Sequence, residues 1–238
     1  MFVLQYHPLA VIRKPNAAEI KEYYLSIGSK YSRLLEHRVW GACDGLKLLI
    51  QKSGKHLVQN RFYNGWTSNH YVNSVFVFAP DGRIRICTIN APGSWHDSTM
   101  ADYGIYDKME ELYNAHLCKV VVDSAFNLTG RNFLIESSQT DPETPDALAL
   151  NNDATSLCQL SEHGMRQIQA QFPRLKDRLM FEEFGERKVI LNLMILMYNF
   201  NTAKIGINEI LNSFMTKTKG FYNYTESNII DTADDMFI

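Results

Sequence analysis

Three aspartates stand where an apolar run ends or is interrupted. Asp44 lies in Ala42-Cys-Asp-Gly45, Asp97 in Pro92-Gly-Ser-Trp-His-Asp-Ser98, and Asp123 directly after Lys119-Val-Val-Val122. A carboxylate on a buried strand is paired or bound to a cation, because an isolated charge is costly away from water. Two such acids converging at one sheet edge repel each other, and a divalent cation removes that penalty. Magnesium takes a few carboxylates together with water and phosphate oxygens. The chemistry open to such a set is that of a bound divalent cation. Each acid also has an ordinary reading. An Asp before Gly is a turn residue, and an Asp after a strand or ahead of a helix is a cap. Asp97 suits an N-cap best, so the inference rests on the constellation.

The elements that must position these acids read as follows. Residues 17–38 look helical, with Ile20, Tyr23, Tyr24 and Ile27 at helical spacing. Residues 38–50 form an apolar segment broken at Asp44-Gly45, and 51–69 a polar and aromatic loop. Strands at 71–78 and 83–89 flank Asp81-Gly82, a hairpin signal. A helix capped by Asp97-Ser-Thr99 runs to Ala115, and Lys119-Val-Val-Val122 is a short buried strand. The Ser-, Asp-, Pro- and Asn-rich stretch 137–156 reads as a mobile loop. Ser161 caps a helix over 162–180 that Pro173 breaks. A helix over 186–203 places Val189, Ile190, Leu193, Met194, Met197 and Tyr198 on one face as core, and a shorter one covers 207–216. Two strands in a hairpin followed by an alternating α/β half predict a mixed sheet covered by helices.

Composition bounds the class. The chain has 238 residues, 45% hydrophobic and 21% charged, which excludes disordered, collagen-like and coiled-coil chains. No charge-free apolar run is long enough for a spanning helix, so no membrane role is expected. The formal net charge of −2 opposes a nucleic-acid binder with a wholly basic surface. Cys43, Cys87, Cys118 and Cys158 form no C-x-x-C pair and read as reduced, buried thiols. With no signal peptide in the opening residues, an intracellular location is expected.

The words Ala42-Cys-Asp-Gly45, Phe62-Tyr-Asn-Gly-Trp66, Pro92-Gly-Ser-Trp-His-Asp-Ser98, Val122-Asp-Ser-Ala-Phe126, Ser161-Glu-His-Gly-Met-Arg166 and Phe172-Pro-Arg-Leu-Lys176 occur in this order. Together they resemble the PIF/Harbinger group of DDE-superfamily transposases and the nucleases derived from them, over residues 38–205. The resemblance implies an α/β, RNase H-like mixed sheet flanked by helices. In that fold the first acid lies on the first strand, the second just after the fourth, and the third on a later helix. The strand count made from the residues alone puts Asp44 and Asp123 at the first two places. The chain then divides into an N-terminal helical remnant (1–37), a DDE catalytic domain (38–205), and a C-terminal helix with a frayed tail (206–238).

The third acid departs from the group's pattern. Counting back from Phe172 to the usual glutamate gives Gln169, which carries no charge. Glu162 lies seven residues earlier on the same helix face, about 10 Å away along the axis. Two readings stand: Glu162 supplies the acid, or the site has lost it. Arg166, four residues on, can orient Glu162 or hold a phosphate. His96 neighbours Asp97 and either binds a metal or makes a structural hydrogen bond.

By resemblance, the function is metal-dependent DNA cleavage and strand transfer by a DDE endonuclease, in the nucleus. The cofactor is a pair of divalent ions, magnesium or manganese, held by Asp44, Asp123 and Glu162 with Asp97 as a further ligand. The alternative is a domesticated or truncated remnant that keeps the fold and binds partners without catalysis; the short N-terminus and Gln169 favour it. Lys47, Lys52, Lys55 and Arg61 form a local cluster without an acid, and Lys176 belongs to a second; both can follow a DNA backbone or simply be solvated. A Myb-like partner protein would share DNA recognition, and two bound divalent ions would bring the formal charge from −2 to +2.

Overall fold

The protein was analysed as a computed structural model, which describes residues 2–137, 144–180, 184–206 and 208–215. Strands β1 (Val39–Leu49), β2 (Tyr63–Asn64), β3 (Asn69–Phe78), β4 (Ile84–Pro92), β5 (Lys119–Val122) and β6 (Leu134–Glu136) form one sheet. β1 pairs antiparallel with β3 and β3 antiparallel with β4, while β5 runs parallel to β1 and β6 parallel to β5. β2 is a two-residue extension on β3. A three-stranded antiparallel meander therefore continues into two parallel strands. This is the RNase H-like mixed sheet flanked by helices that the sequence led us to expect.

Helices cover both faces. α1 (Phe2–Tyr6), α2 (Ala17–Lys30) and α3 (Ser32–Leu35) precede the sheet, and α4 (His56–Phe62) follows β1. α5 (Asp97–Ala101) and α6 (Ile105–His116) join β4 to β5. α7 (Pro145–Gln171), a 3-10 turn (Pro173–Lys176), α8 (Phe184–Ile205) and α9 (Glu209–Met215) close the described chain. Strand alternation sorts the core into two layers. Ala42, Leu46, Leu48, Phe76 and Val121 face α7, α8 and α9. Cys43, Val75, Val77 and Val122 face α5 and α6. α2 spans both layers, giving Ile20 and Tyr23 to one and Ile27 to the other.

Several local expectations needed correction. The segment 38–50 is not broken at Asp44-Gly45; β1 runs through it without interruption. The polar stretch 51–69 contains α4 and β2. The helix expected from Asp97 to Ala115 is divided by Gly104, whose φ of +90° an ordinary residue would not adopt. Residues 145–156 are helical, because Thr144 caps the Ala147 amide and Pro145 opens the first turn. The rest of that predicted loop, 138–143, lies outside the described residues, as does the frayed tail beyond Met215. Ser161 is not a cap; it is buried mid-helix and its hydroxyl donates to the Cys158 carbonyl.

α8 buries Leu191, Ile195, Tyr198 and Thr202, while Val189, Ile190 and Met197 are substantially exposed. The helix is apolar nearly all round, so periodicity could not choose its inner face. Its anchor is polar: Asn199 accepts from the Ile84 amide and donates to the Ile84 carbonyl, satisfying the edge of β4. All four cysteines are free, and Cys43, Cys118 and Cys158 are buried.

Candidate active site

The site begins where β5 ends. The last parallel pair is Cys43 with Val122, so Asp44 and Asp123 stand one step further along adjacent strands. Both share the parity of Ala42 and Val121 and therefore belong to the α7 side of the sheet. β1 continues past this point paired with β3 alone. The acids thus occupy the carboxyl end of a parallel pair, the place where open α/β sheets bind ligands.

Each acid is held by its own backbone. The Asp44 Oδ1 accepts from the Gly45 amide at 2.6 Å, and the Asp123 Oδ1 from the Ala125 amide at 3.0 Å. The buried Ser161 hydroxyl lies 3.4 Å from the Asp44 Oδ2 and ties α7 to the site. Burial, then the charges of Asp123, Asp97 and Glu162, push the Asp44 carboxyl up to about 7 against the Gly45 hydrogen bond. Burial also raises Asp123, reinforced by Glu162 and opposed by the Ala125 amide and Lys47.

Asp97 approaches from the other layer. It sits in the first turn of α5, whose N-cap is His96 with no side-chain capping bond. The capping role expected of Asp97 is therefore not what it does here. Its carboxylate rests against the α-carbon of Gly45: a Cβ there would lie 2.6 Å from it. Its Oδ1 is buried with no hydrogen-bond partner. Burial raises the Asp97 carboxyl, with Lys47 opposing and Asp123 adding to the rise. His96 is exposed and its charge acts on Asp97.

Glu162 follows Ser161 on α7, exposed and paired with Arg166 at 3.3 Å. Its charge reaches both Asp44 and Asp123. Gln169 is half-buried two turns further along α7, about 10 Å down the axis. Helix α7 therefore sets Glu162, and not residue 169, beside the residue that touches Asp44.

Of the basic residues, Lys47 belongs to the site: it is exposed on β1, and its charge acts on Asp97 and Asp123. Lys52, Lys55 and Arg61 are exposed after β1 and on α4, and Lys176 on the 3-10 turn. A bridge between Ile50 and Leu179 brings these two basic stretches together. Ser161 was visible in the sequence only as a supposed cap. Its contact with Asp44 follows from α7 starting much earlier than its composition announced.

The donor set has the chemistry of a divalent-cation site. Its members are hard carboxylate oxygens, one of them buried and unsatisfied, gathered at one strand end. Among the described residues no three His, Cys, Asp or Glu side chains lie close enough together to share an ion as they stand. The set fits in type and placement, with Glu162 now turned toward Arg166.

No curated protein sequence matches the chain significantly. Among solved structures, the Mos1 mariner paired end complex with Mn is 9% identical, with a TM-score of 0.34. That match covers 86% of this chain and 63% of the other, so the chain spans less than two thirds of that protein's length. The catalytic domain of Mos1 mariner transposase is 8% identical with a TM-score of 0.32, covering 86% of this chain and 97% of that one. At these TM-scores neither likeness carries weight. The family described as DDE superfamily endonuclease, however, matches residues 43–199, a span that takes in Asp44, Asp97, Asp123 and Glu162. On that match the chain belongs to the DDE superfamily endonucleases.

Proposed function

We propose that the protein cleaves DNA phosphodiesters and transfers strands, using Asp44, Asp123 and Glu162 with Asp97 as a fourth acid. The observation that carries this reading is the side-by-side placement of Asp44 and Asp123 one step beyond Cys43 and Val122. Burial, with the charges of Asp123, Asp97 and Glu162 added, raises Asp44 to about 7. A buried carboxylate among other acids favours a positive partner.

Asp44 and Asp123 would hold divalent magnesium or manganese, with Glu162 and Asp97 completing the set from α7 and α5. Such a bound ion pair supplies Lewis-acid stabilisation of the phosphodiester and lowers the pKa of an attacking water or 3′-hydroxyl. The chain's own contribution is positioning. The Gly45 and Ala125 amides fix the two aspartates. Lys47 offers positive charge to an arriving phosphate beside them. Arg166 holds Glu162, and is released to a phosphate when Glu162 turns inward. Lys52, Lys55, Arg61 and Lys176 line the approach as backbone contacts, whose binding would weaken with salt.

The test is nicking of supercoiled DNA with magnesium or manganese. The intact protein is expected to nick only with the metal, and Asp44→Ala to abolish nicking. Equal nicking by both proteins would overturn the reading.

A further inference from the structure

A cleft of about 550 Å³ lies along β4, within the size range of ligand pockets. Its lining is aromatic and cationic: Trp95, Tyr103, Phe62 and Phe184 with Arg61 and Arg187, and among the described residues no carboxylate. Trp95 stacks on Tyr103, ring centres 4.7 Å apart and planes 17° from parallel. The Arg187 guanidinium lies 5.5 Å from the Phe62 ring centre and 5.6 Å from that of Phe184. Arg187 is itself buried and fixed, donating to the Asn90 side chain at 2.6 Å and the Met180 carbonyl at 2.8 Å.

The cleft is built rather than incidental. The Ser94 hydroxyl and amide both donate to the Arg61 carbonyl, at 2.8 and 3.2 Å, and Asn64 donates to the Gly93 carbonyl. These bonds fix the end of α4 against the loop that carries Trp95. Gly93 permits the approach, since a Cβ there would meet the Phe62 and Tyr71 carbonyls at 2.6 and 2.3 Å.

Its position relates it to the acids. Asn73 donates to the Trp95 carbonyl, and the register partners of Asn73 are Lys47 on β1 and Ala91 on β4. Lys47 marks the acid site and Ala91 lines the cleft. The two are two strand spacings apart, about 10 Å. Asp44 lies three residues from Lys47 along β1, about 10 Å further, so a strand held at the acids would reach the cleft with a base a few nucleotides away.

We infer that this cleft receives an unpaired nucleobase of the DNA strand held at the acids, stacked against Trp95 with Arg61 on its phosphate. The inference rests on the proposed DNA-processing function and names where the substrate's unpaired part binds. Aromatic faces accept any base, and guanidinium groups favour the adjoining phosphates while carboxylates would repel them. A duplex would have to open there to fill the cleft, so strand ends and distorted junctions are its natural substrates.

The test uses the full chain in EDTA and two labelled probes, an oligothymidylate and an abasic oligomer of equal length and charge. The intact protein is expected to bind the oligothymidylate about tenfold more tightly, the contribution of one stacked base. Trp95→Ala is expected to remove that preference while binding the abasic chain as the intact protein does. Tyr103→Ala, at an exposed ring, should reduce the preference without endangering the fold. Arg61→Ala should weaken both probes alike. Equal binding of the two probes by the intact protein would overturn the cleft assignment and leave the DNA reading standing, as would a Trp95→Ala protein that still discriminates. Failure to bind either probe would overturn both.

Discussion

Asp44 and Asp123 lie side by side on parallel strands, one step past the point where β5 stops pairing with β1. The relationship puts two like charges together on the side of the sheet that α7 covers, and the protein bears that cost at the edge where a ligand can enter.

The first prediction concerns the burial of Asp44, to which this repulsion adds. The rise of Asp44 from 3.8 to about 7 corresponds to about 4 kcal/mol. The folded state prefers the neutral acid, so the metal-free protein should gain stability as pH falls from 7 toward 4. Above pH 7 the charged form costs the full amount. Asp44→Asn is therefore expected to raise Tm at pH 8 in EDTA and to lose that advantage at pH 4, measured by thermal melting at each pH.

Gly45 is the second. A methyl group there meets the Asp97 carboxylate at 2.6 Å. Gly45→Ala should displace Asp97 and cut nicking by about a hundredfold, the usual effect of a misplacement near 1 Å. Because Asp97 is then already displaced, adding Asp97→Ala should cost little more. A full additive loss in the double variant would contradict the contact.

The third acid is the next. Glu162→Gln is expected to abolish nicking, whereas Gln169→Glu should not restore it, since residue 169 lies about 10 Å further along α7. Rescue by Gln169→Glu would show that the helix lies in another register over β1.

A fourth prediction is about stability away from the site. Arg85, 1% exposed at its side chain, bridges to Asp81 at 2.7 Å and to Glu19 at 3.2 Å, and also bonds the Tyr23 hydroxyl. This network locks α2 to the β3–β4 hairpin. Burial alone would raise the Asp81 carboxyl, but Arg85, Arg83 and the Tyr23 hydroxyl hold it below the ordinary range. Its stabilisation is therefore present above the unfolded-state value of about 3.9 and is lost as pH falls through the lower folded value. Asp81→Ala should cost about 3 kcal/mol at pH 7 and flatten the acid limb of the stability profile, read by urea unfolding.

The sheet and its two aspartates were legible because runs such as Lys119-Val-Val-Val122 read as strands from a few residues, and an acid ending such a run stands out. Helix α7 was not legible at its start. Its first three turns carry the Asp, Asn, Ser and Thr of a loop, and only the Thr144–Pro145 cap betrays the helix. Reading Ser161 as a cap followed from that error, and it hid the contact between α7 and Asp44. Glu162 was legible as an alternative to Gln169, but choosing between them needs the helix laid over β1. The exposure of Val189 and Met197 was not legible, because a helix apolar on every side has no periodicity to reveal its buried face.

The central claim is that the acids at the end of β5 hold divalent metal, and manganese binding to the DNA-free protein tests it without reference to activity. Calorimetric titration should show saturable binding by the intact chain, loss of that binding in Asp123→Asn, and little change in Asp81→Ala under conditions where it stays folded. Equal manganese binding by the intact protein and Asp123→Asn would contradict the account.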